Sequence, residues 1–177
     1  MEHILQWTIP IIVGILTFFA GRSFERYKLA QVNRLKLLEP IETWVERASQ
    51  LVGIVGDDIS SVASGLAYPS IYSVKDRLET AKSLGEYKEK IFGILKSKAL
   101  NTRGTRGLST RLSDLVIKLS MLIEQEYLQA DLHLLEKMNL KQDLTAEIMT
   151  ILAATSTINI LIQEIHTCLS ELKIRFT

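Results

Sequence analysis

The sequence predicts an all-α membrane protein, with one N-terminal transmembrane helix followed by an elongated antiparallel (up-down-up-down) four-helix bundle. Residues 4–21 form an uncharged apolar run, and two later stretches repeat apolar residues at alternating spacings of three and four. That spacing is typical of helices packed side by side. We therefore expect a transmembrane anchor at residues 1–21, a basic juxtamembrane helix at 22–37 and a cytoplasmic four-helix bundle at 38–177.

Composition narrows the class of protein. The chain has 177 residues, of which 47% are hydrophobic and 23% charged, values that are typical of a folded domain rather than a disordered one. A formal net charge of +1 argues against general nucleic-acid binding. The single cysteine, Cys168, excludes an internal disulfide framework and a cysteine-based zinc site.

The N-terminal apolar run has the length of a membrane span. A helix of residues 4–21 is about 27 Å long, close to a hydrocarbon core of about 30 Å. A cleaved secretory signal is an alternative, but residues 1–3 lack the Lys or Arg that such a signal needs. A buried core helix is a further alternative. Basic residues follow the run, and the positive-inside rule then places the N-terminus outside and the body in the cytoplasm, at the cell membrane. These residues are Arg22, Arg26, Lys28, Arg34 and Lys36.

Small or helix-bending residues recur on one face of this run. Pro10, Gly14, Thr17 and Gly21 are four, three and four residues apart, which aligns them along a helix. Small residues let transmembrane helices approach closely, so this is a possible transmembrane association face. The alternative is that Gly and Pro are simply common in membrane helices.

Four helices are expected in the bundle. Regular apolar stripes define the first (residues 38–66) and the last (residues 144–172). Less perfect stripes define the second (residues 71–100, with a bend near Gly85) and the third (residues 109–139). Pro, Gly and Asn mark the turns between them, and short connections favour antiparallel neighbours.

This topology gathers basic residues at the membrane end of the bundle. The loop at residues 101–107 and the C-terminus both return to the side from which the first helix leaves. Cationic side chains at an anionic leaflet contribute about 1 kcal/mol each. The possible membrane-surface or phosphate contacts are Arg22, Arg26, Lys28, Arg103 and Arg106. The loop lacks the Lys-Ser/Thr pair of a P-loop, so a lipid headgroup, a soluble nucleotide and a plain solvated turn all remain open for it.

No catalytic, cofactor or metal site is predicted. The sequence lacks the Glu-x-x-His motifs of a di-iron bundle, and neither His133 nor His166 has the required spacing. Residues 148–163 are uncharged and raise the alternative of a second membrane span. Their one-sided apolar stripe favours a bundle core, because a lipid-facing helix is apolar all round.

These observations favour an interaction protein rather than an enzyme. We expect a single-pass membrane-anchored scaffold or adaptor whose partners are another protein or further copies of itself, with a possible contact to anionic lipid headgroups. The alternative is a membrane effector or sensor, in which a ligand or partner changes the packing of the bundle and acts through the transmembrane helix. Regular stripes favour that idea because their register shifts are discrete.

Overall fold

Every element in the described part of the chain is helical. The computed structural model describes the backbone of residues 2–63 and 70–177, and the side chains of residues 13, 17–56 and 70–177. The elements are α1 (Glu2–Ala63), α2 (Ile71–Leu95), α3 (Arg106–Met121), a π-helix (Leu122–Tyr127), α4 (Leu128–Leu140) and α5 (Thr145–Phe176). Because α3, the π-helix and α4 follow one another without a break, we refer to residues 106–140 as the third rod. The described residues thus contain four long helical rods and no strand.

The rods form an antiparallel ring. α1 packs against α2 and α5, and the third rod packs against the same two helices on the opposite side. Polar contacts fix the directions, because from one contact to the next the residue number falls along one rod as it rises along its neighbour. These contacts are Trp44–Leu84 and Arg47–Ser83, Arg77–Asp131 and Lys88–Glu124, Arg111–Glu164 and Lys137–Glu147, and Gln31–Thr177 and Glu42–Lys173.

The core is built from one apolar stripe on each rod. Residues three and four apart share a helix face, so such a stripe is buried only when neighbouring helices cover it. In α1 the covered stripe includes Leu38, Ile41 and Val45, all fully buried. In α5 it has nine members: Ile151, Ala154, Ile158, Ile162, Ile165, Cys168, Leu169, Leu172 and Phe176.

The predicted N-terminal transmembrane anchor is wrong. Among the described residues a single helix, α5, is long and apolar enough to cross a membrane, and it lies at the C-terminal end of the chain. The charged side chains of Arg22, Glu25 and Arg26 follow the predicted anchor directly and are exposed. The N-terminal side chains before residue 17, Val13 excepted, lie outside the described residues.

α5 combines an apolar composition with a place in the bundle. By length and composition it supports membrane association of the chain. In the structure its buried stripe packs against α1, the third rod and the π-helix within it. Its opposite side exposes Asn159 and Gln163, whereas a lipid-facing helix is apolar all round.

Several helix boundaries differ from the predicted ones. α1 runs through residues 21 and 37 without a break and also through Pro40. α2 is continuous at Gly85 and ends at Leu95, because the chain turns at residues 96–105. The Ser70 hydroxyl accepts a hydrogen bond from the Tyr72 amide and caps the start of α2.

Candidate interaction surface at the base of the bundle

We call the end at which α1 enters the bundle and α5 finishes the base of the bundle. The Gln31 side-chain amide donates to the Thr177 carbonyl at 3.2 Å. The Arg34 guanidinium lies 5.7 Å from the centre of the Phe176 ring. The Arg175 guanidinium donates to the Gly104 carbonyl at 2.9 Å. The antiparallel arrangement therefore brings the 101–107 loop and the end of α5 beside α1.

The loop is held by its own polar groups. The Leu100 carbonyl accepts hydrogen bonds from the Thr105 and Ser109 hydroxyls, both at 2.7 Å. The Asn101 side-chain amide donates to the Leu95 carbonyl at 2.9 Å. These bonds satisfy carbonyls that the ends of helices leave open. The loop hydroxyls are thereby used within the turn, whereas Arg103 and Arg106 extend into solvent.

Beyond the base, α1 continues as a free-standing helix, and we call residues 17–29 the projecting segment. All of its side chains are exposed, over a length of about 20 Å. Its large apolar side chains are each 57% to 64% exposed, although residues of these types are usually covered. They are Phe18, Phe19, Phe24, Tyr27 and Leu29.

Charge is distributed unevenly between the base and the rest of the molecule. Two segments at or near the base, residues 22–36 and 96–111, hold ten of the 21 Lys and Arg residues but one of the 20 Asp and Glu residues. Several cations in the bundle have carboxylate partners, as in Lys88–Glu124 and Lys137–Glu147. Among the described residues, no carboxylate pairs with the predicted contact residues, which are Arg22, Arg26, Lys28, Arg103 and Arg106.

The predicted association face falls partly on this segment. The Thr17 hydroxyl donates to the Val13 carbonyl of its own helix at 2.7 Å. A Cβ atom added at Gly21 would meet no atom within 4 Å, so this side of the helix is open. At Pro10 and Gly14 the structure describes the helical backbone only.

A buried ion pair between α2 and α4 was not predicted. The Asp131 carboxylate accepts from Arg77 Nε at 3.1 Å and from Arg77 Nη2 at 2.8 Å. Their side chains are 0% and 1% exposed. A bidentate pair of this kind is among the stronger polar contacts in proteins. The sequence carries one signal for it, because Arg77 follows Val74 by three residues and Asp131 precedes Leu134 by three, so both occupy positions in apolar stripes.

A second polar contact lies further along the same pair of rods. Lys88 Nζ lies 2.8 Å from both carboxylate oxygens of Glu124, which belongs to the π-helix. The Glu124 carboxylate also lies over Gly85, where an added Cβ atom would come within 3.3 Å of it. We refer to Arg77, Lys88, Glu124 and Asp131 as the polar seam, which joins α2 to the third rod.

The base of the bundle and the projecting segment present exposed cations and exposed aromatic rings on one helix, groups that can contact anionic and apolar surfaces. Comparison with protein-family models, curated proteins and solved structures finds no significant match for this chain.

Proposed function

We propose that this protein is a helical interaction module that works at a membrane surface. The base of the bundle and the projecting segment form its contact region, and the bundle is the rigid body that carries them. One observation supports this most strongly: exposed cations without carboxylate partners lie beside exposed aromatic rings on the same helix.

Electrostatics favour an anionic lipid surface as the ligand of this region. A Lys or Arg near such a surface contributes about 1 kcal/mol. Arg22, Arg26 and Lys28 are exposed and have no carboxylate partner among the described residues, and the Lys28 ammonium lies 4.6 Å from the centre of the Phe24 ring. Anionic lipids are enriched in the cytoplasmic leaflet, so the proposed site of action is the cytoplasmic face of the cell membrane.

One face of the projecting segment combines both kinds of contact. Phe19, Arg22, Arg26 and Leu29 are three, four and three residues apart, and Phe18 lies beside them. We call these five residues the outward face. Aromatic and aliphatic side chains enter the headgroup region while cations stay with the phosphates, which is the pattern of helices that lie in a membrane interface.

Charge reversal tests this contact. In sedimentation with vesicles, the chain should bind bilayers rich in phosphatidylserine and bind phosphatidylcholine bilayers weakly. The variant Arg22→Glu/Arg26→Glu/Lys28→Glu should lose at least about tenfold in affinity, because three favourable contacts become repulsive. Added salt should weaken binding of the unmodified chain.

A matched variant separates location from net charge. Lys75→Glu/Lys82→Glu/Lys118→Glu makes the same change in net charge at exposed positions away from the base. This control should retain most of its binding to anionic vesicles. Equal losses in the two triple variants would contradict a defined contact region.

The polar seam favours a second candidate function, a sensor in which α2 changes its packing against the third rod. π-helical turns are often found at functional sites, and this one supplies Glu124 to the seam. A sensor of this kind requires a minor state in which α2 separates from the bundle. Amide hydrogen exchange should then be faster in α2 than in α5, and equal protection of the two helices would argue against it.

A further inference from the structure

α1 carries one helix-packing seam through its bundle half and its projecting half. Consecutive positions of the seam alternate between spacings of three and four residues without a change of phase. This is the spacing with which a helix packs along another helix. The seam comprises Thr17, Ala20, Phe24, Tyr27, Gln31, Arg34, Leu38, Ile41, Val45 and Ala48.

Within the bundle, this seam is covered by a helix. Leu38, Ile41 and Val45 are fully buried where α1 packs against its neighbours. At Gln31 and Arg34 the seam meets the last residues of α5, through the contacts with Thr177 and Phe176. Below Gln31 the same seam continues with every described side chain exposed.

We propose that a second copy of this chain covers the exposed part of the seam. The seam is continuous with the one that α5 covers, which indicates a helical partner of the same kind. Each copy presents the same unpaired seam, so a two-fold arrangement covers both at once. Contact with lipid alone does not explain the exposed seam, because the seam occupies one side of the helix and Arg22 and Arg26 occupy the other.

The structure also determines the relative direction of the two helices. A parallel partner that followed the seam would run past Gln31 into the space that α5 occupies. An antiparallel partner avoids this space when residues 2–16 of each α1 helix lie beside residues 17–30 of the other, which places its own bundle at the far end and each projecting helix below the α5 of the other copy. Gly21 borders the seam with open space around it, which permits a close approach of the two backbones.

Antiparallel pairing leaves the outward face with Arg22 and Arg26 free, whereas Lys28 lies over the Phe24 ring beside the seam. The pairing is therefore compatible with a membrane contact through the outward face but does not rest on it, and the two are tested separately.

Mass and shape in solution test the pairing. Light scattering should give twice the 20.0 kDa chain mass for the full chain. Small-angle X-ray scattering should give a maximum dimension of about 140 Å for the antiparallel pair, against about 95 Å for one α1 helix or a parallel pair. Phe24→Glu/Tyr27→Glu in the seam should give a single chain of about 95 Å, because helix length is unchanged.

A variant on the other side of the helix is the control. Phe19→Glu/Leu29→Glu adds the same charge and removes similar apolar surface from the outward face, and it should remain paired. Equal dissociation of both variants, or a dimer of about 95 Å, would overturn the proposal. A chain that is monomeric in solution and on vesicles would also overturn it, while vesicle binding would continue to support the proposed function.

Discussion

The bundle and the projecting segment differ in whether their apolar and cationic side chains have partners within the chain, although α1 runs through both. In the bundle the apolar stripe is covered, and several cations have carboxylate partners, among them Arg77, Lys88 and Lys137. In the projecting segment the stripe is open, and Arg22 and Arg26 have no partner among the described residues. Apolar spacing therefore shows that a helix face needs a partner, but it does not show whether that partner is in the same chain, another copy or a bilayer.

The largest expected effect comes from breaking the buried ion pair in the bundle. Asp131→Ala should lower the free energy of unfolding by about 3–5 kcal/mol, because it leaves the Arg77 guanidinium buried without its carboxylate. The measurement is urea denaturation followed by circular dichroism. By comparison, Arg26→Ala in the projecting segment should change the free energy of unfolding by less than about 0.5 kcal/mol.

A double variant separates the cost of an unpaired charge from the value of the pair. Arg77→Met/Asp131→Leu replaces both charges with apolar side chains and should recover most of the loss. If the double variant were as unstable as Asp131→Ala, the ion pair itself would stabilise the bundle. The loss of stability in Asp131→Ala could then not be attributed to a buried charge left without its partner.

Truncation of apolar side chains gives a second comparison of the two regions. Ile158→Ala in α5 should cost about 2–5 kcal/mol of unfolding free energy, because Ile158 is fully buried and the cavity cannot close. Phe19→Ala should cost less than about 0.5 kcal/mol, because its ring packs against no described residue of the bundle. Similar losses at the two positions, measured by urea denaturation, would contradict the separation of body and projecting segment.

The smallest expected effect concerns pH at the start of α5. The Asp143 carboxylate accepts hydrogen bonds from the Thr145 hydroxyl at 2.7 Å and the Thr145 amide at 3.0 Å. The hydroxyl bond, followed by the amide bond, holds the pKa of Asp143 below its ordinary value. A lowered folded-state pKa gives stability that is present above the ordinary pKa and is lost as pH falls through the folded value.

The Asp143→Ala variant should therefore be slightly less stable at neutral pH and should approach the parent chain under acid conditions. Thermal unfolding across the acid range measures the difference between the two chains. A constant difference at every pH would show that the carboxylate charge does not contribute to stability at the start of α5.

Much of the helical body was predictable because burial requires periodicity. The stripes from Leu38 and from Leu144 predict the packed parts of α1 and α5, and the basic turn predicts the loop at the base. The buried Arg77–Asp131 pair was not predicted, since a charged residue within a stripe is usually found at its solvated edge. Its burial depends on two residues 54 positions apart meeting across the bundle.

The prediction of an N-terminal anchor failed for a different physical reason. An apolar run establishes that side chains avoid water, but a bundle core, a bilayer and a partner helix all meet that requirement. α5 has the length and hydropathy of a membrane-spanning helix, and yet it packs within the bundle. The projecting segment differs from α5 because no other helix of the described chain covers its apolar side chains and because Arg22 and Arg26 have no carboxylate partner. Both properties depend on the tertiary structure and cannot be read from apolar spacing.

Spin labels on the projecting segment and on the bundle test most directly the claim that the outward face contacts lipid. Phe19→Cys and Lys75→Cys place one label on that face and one on the distal part of the bundle, while the native Cys168 is buried. On phosphatidylserine vesicles, the label at residue 19 should become more accessible to oxygen than to a water-soluble nickel reagent, and the label at residue 75 should not. Equal accessibility of both labels to the nickel reagent would contradict the account.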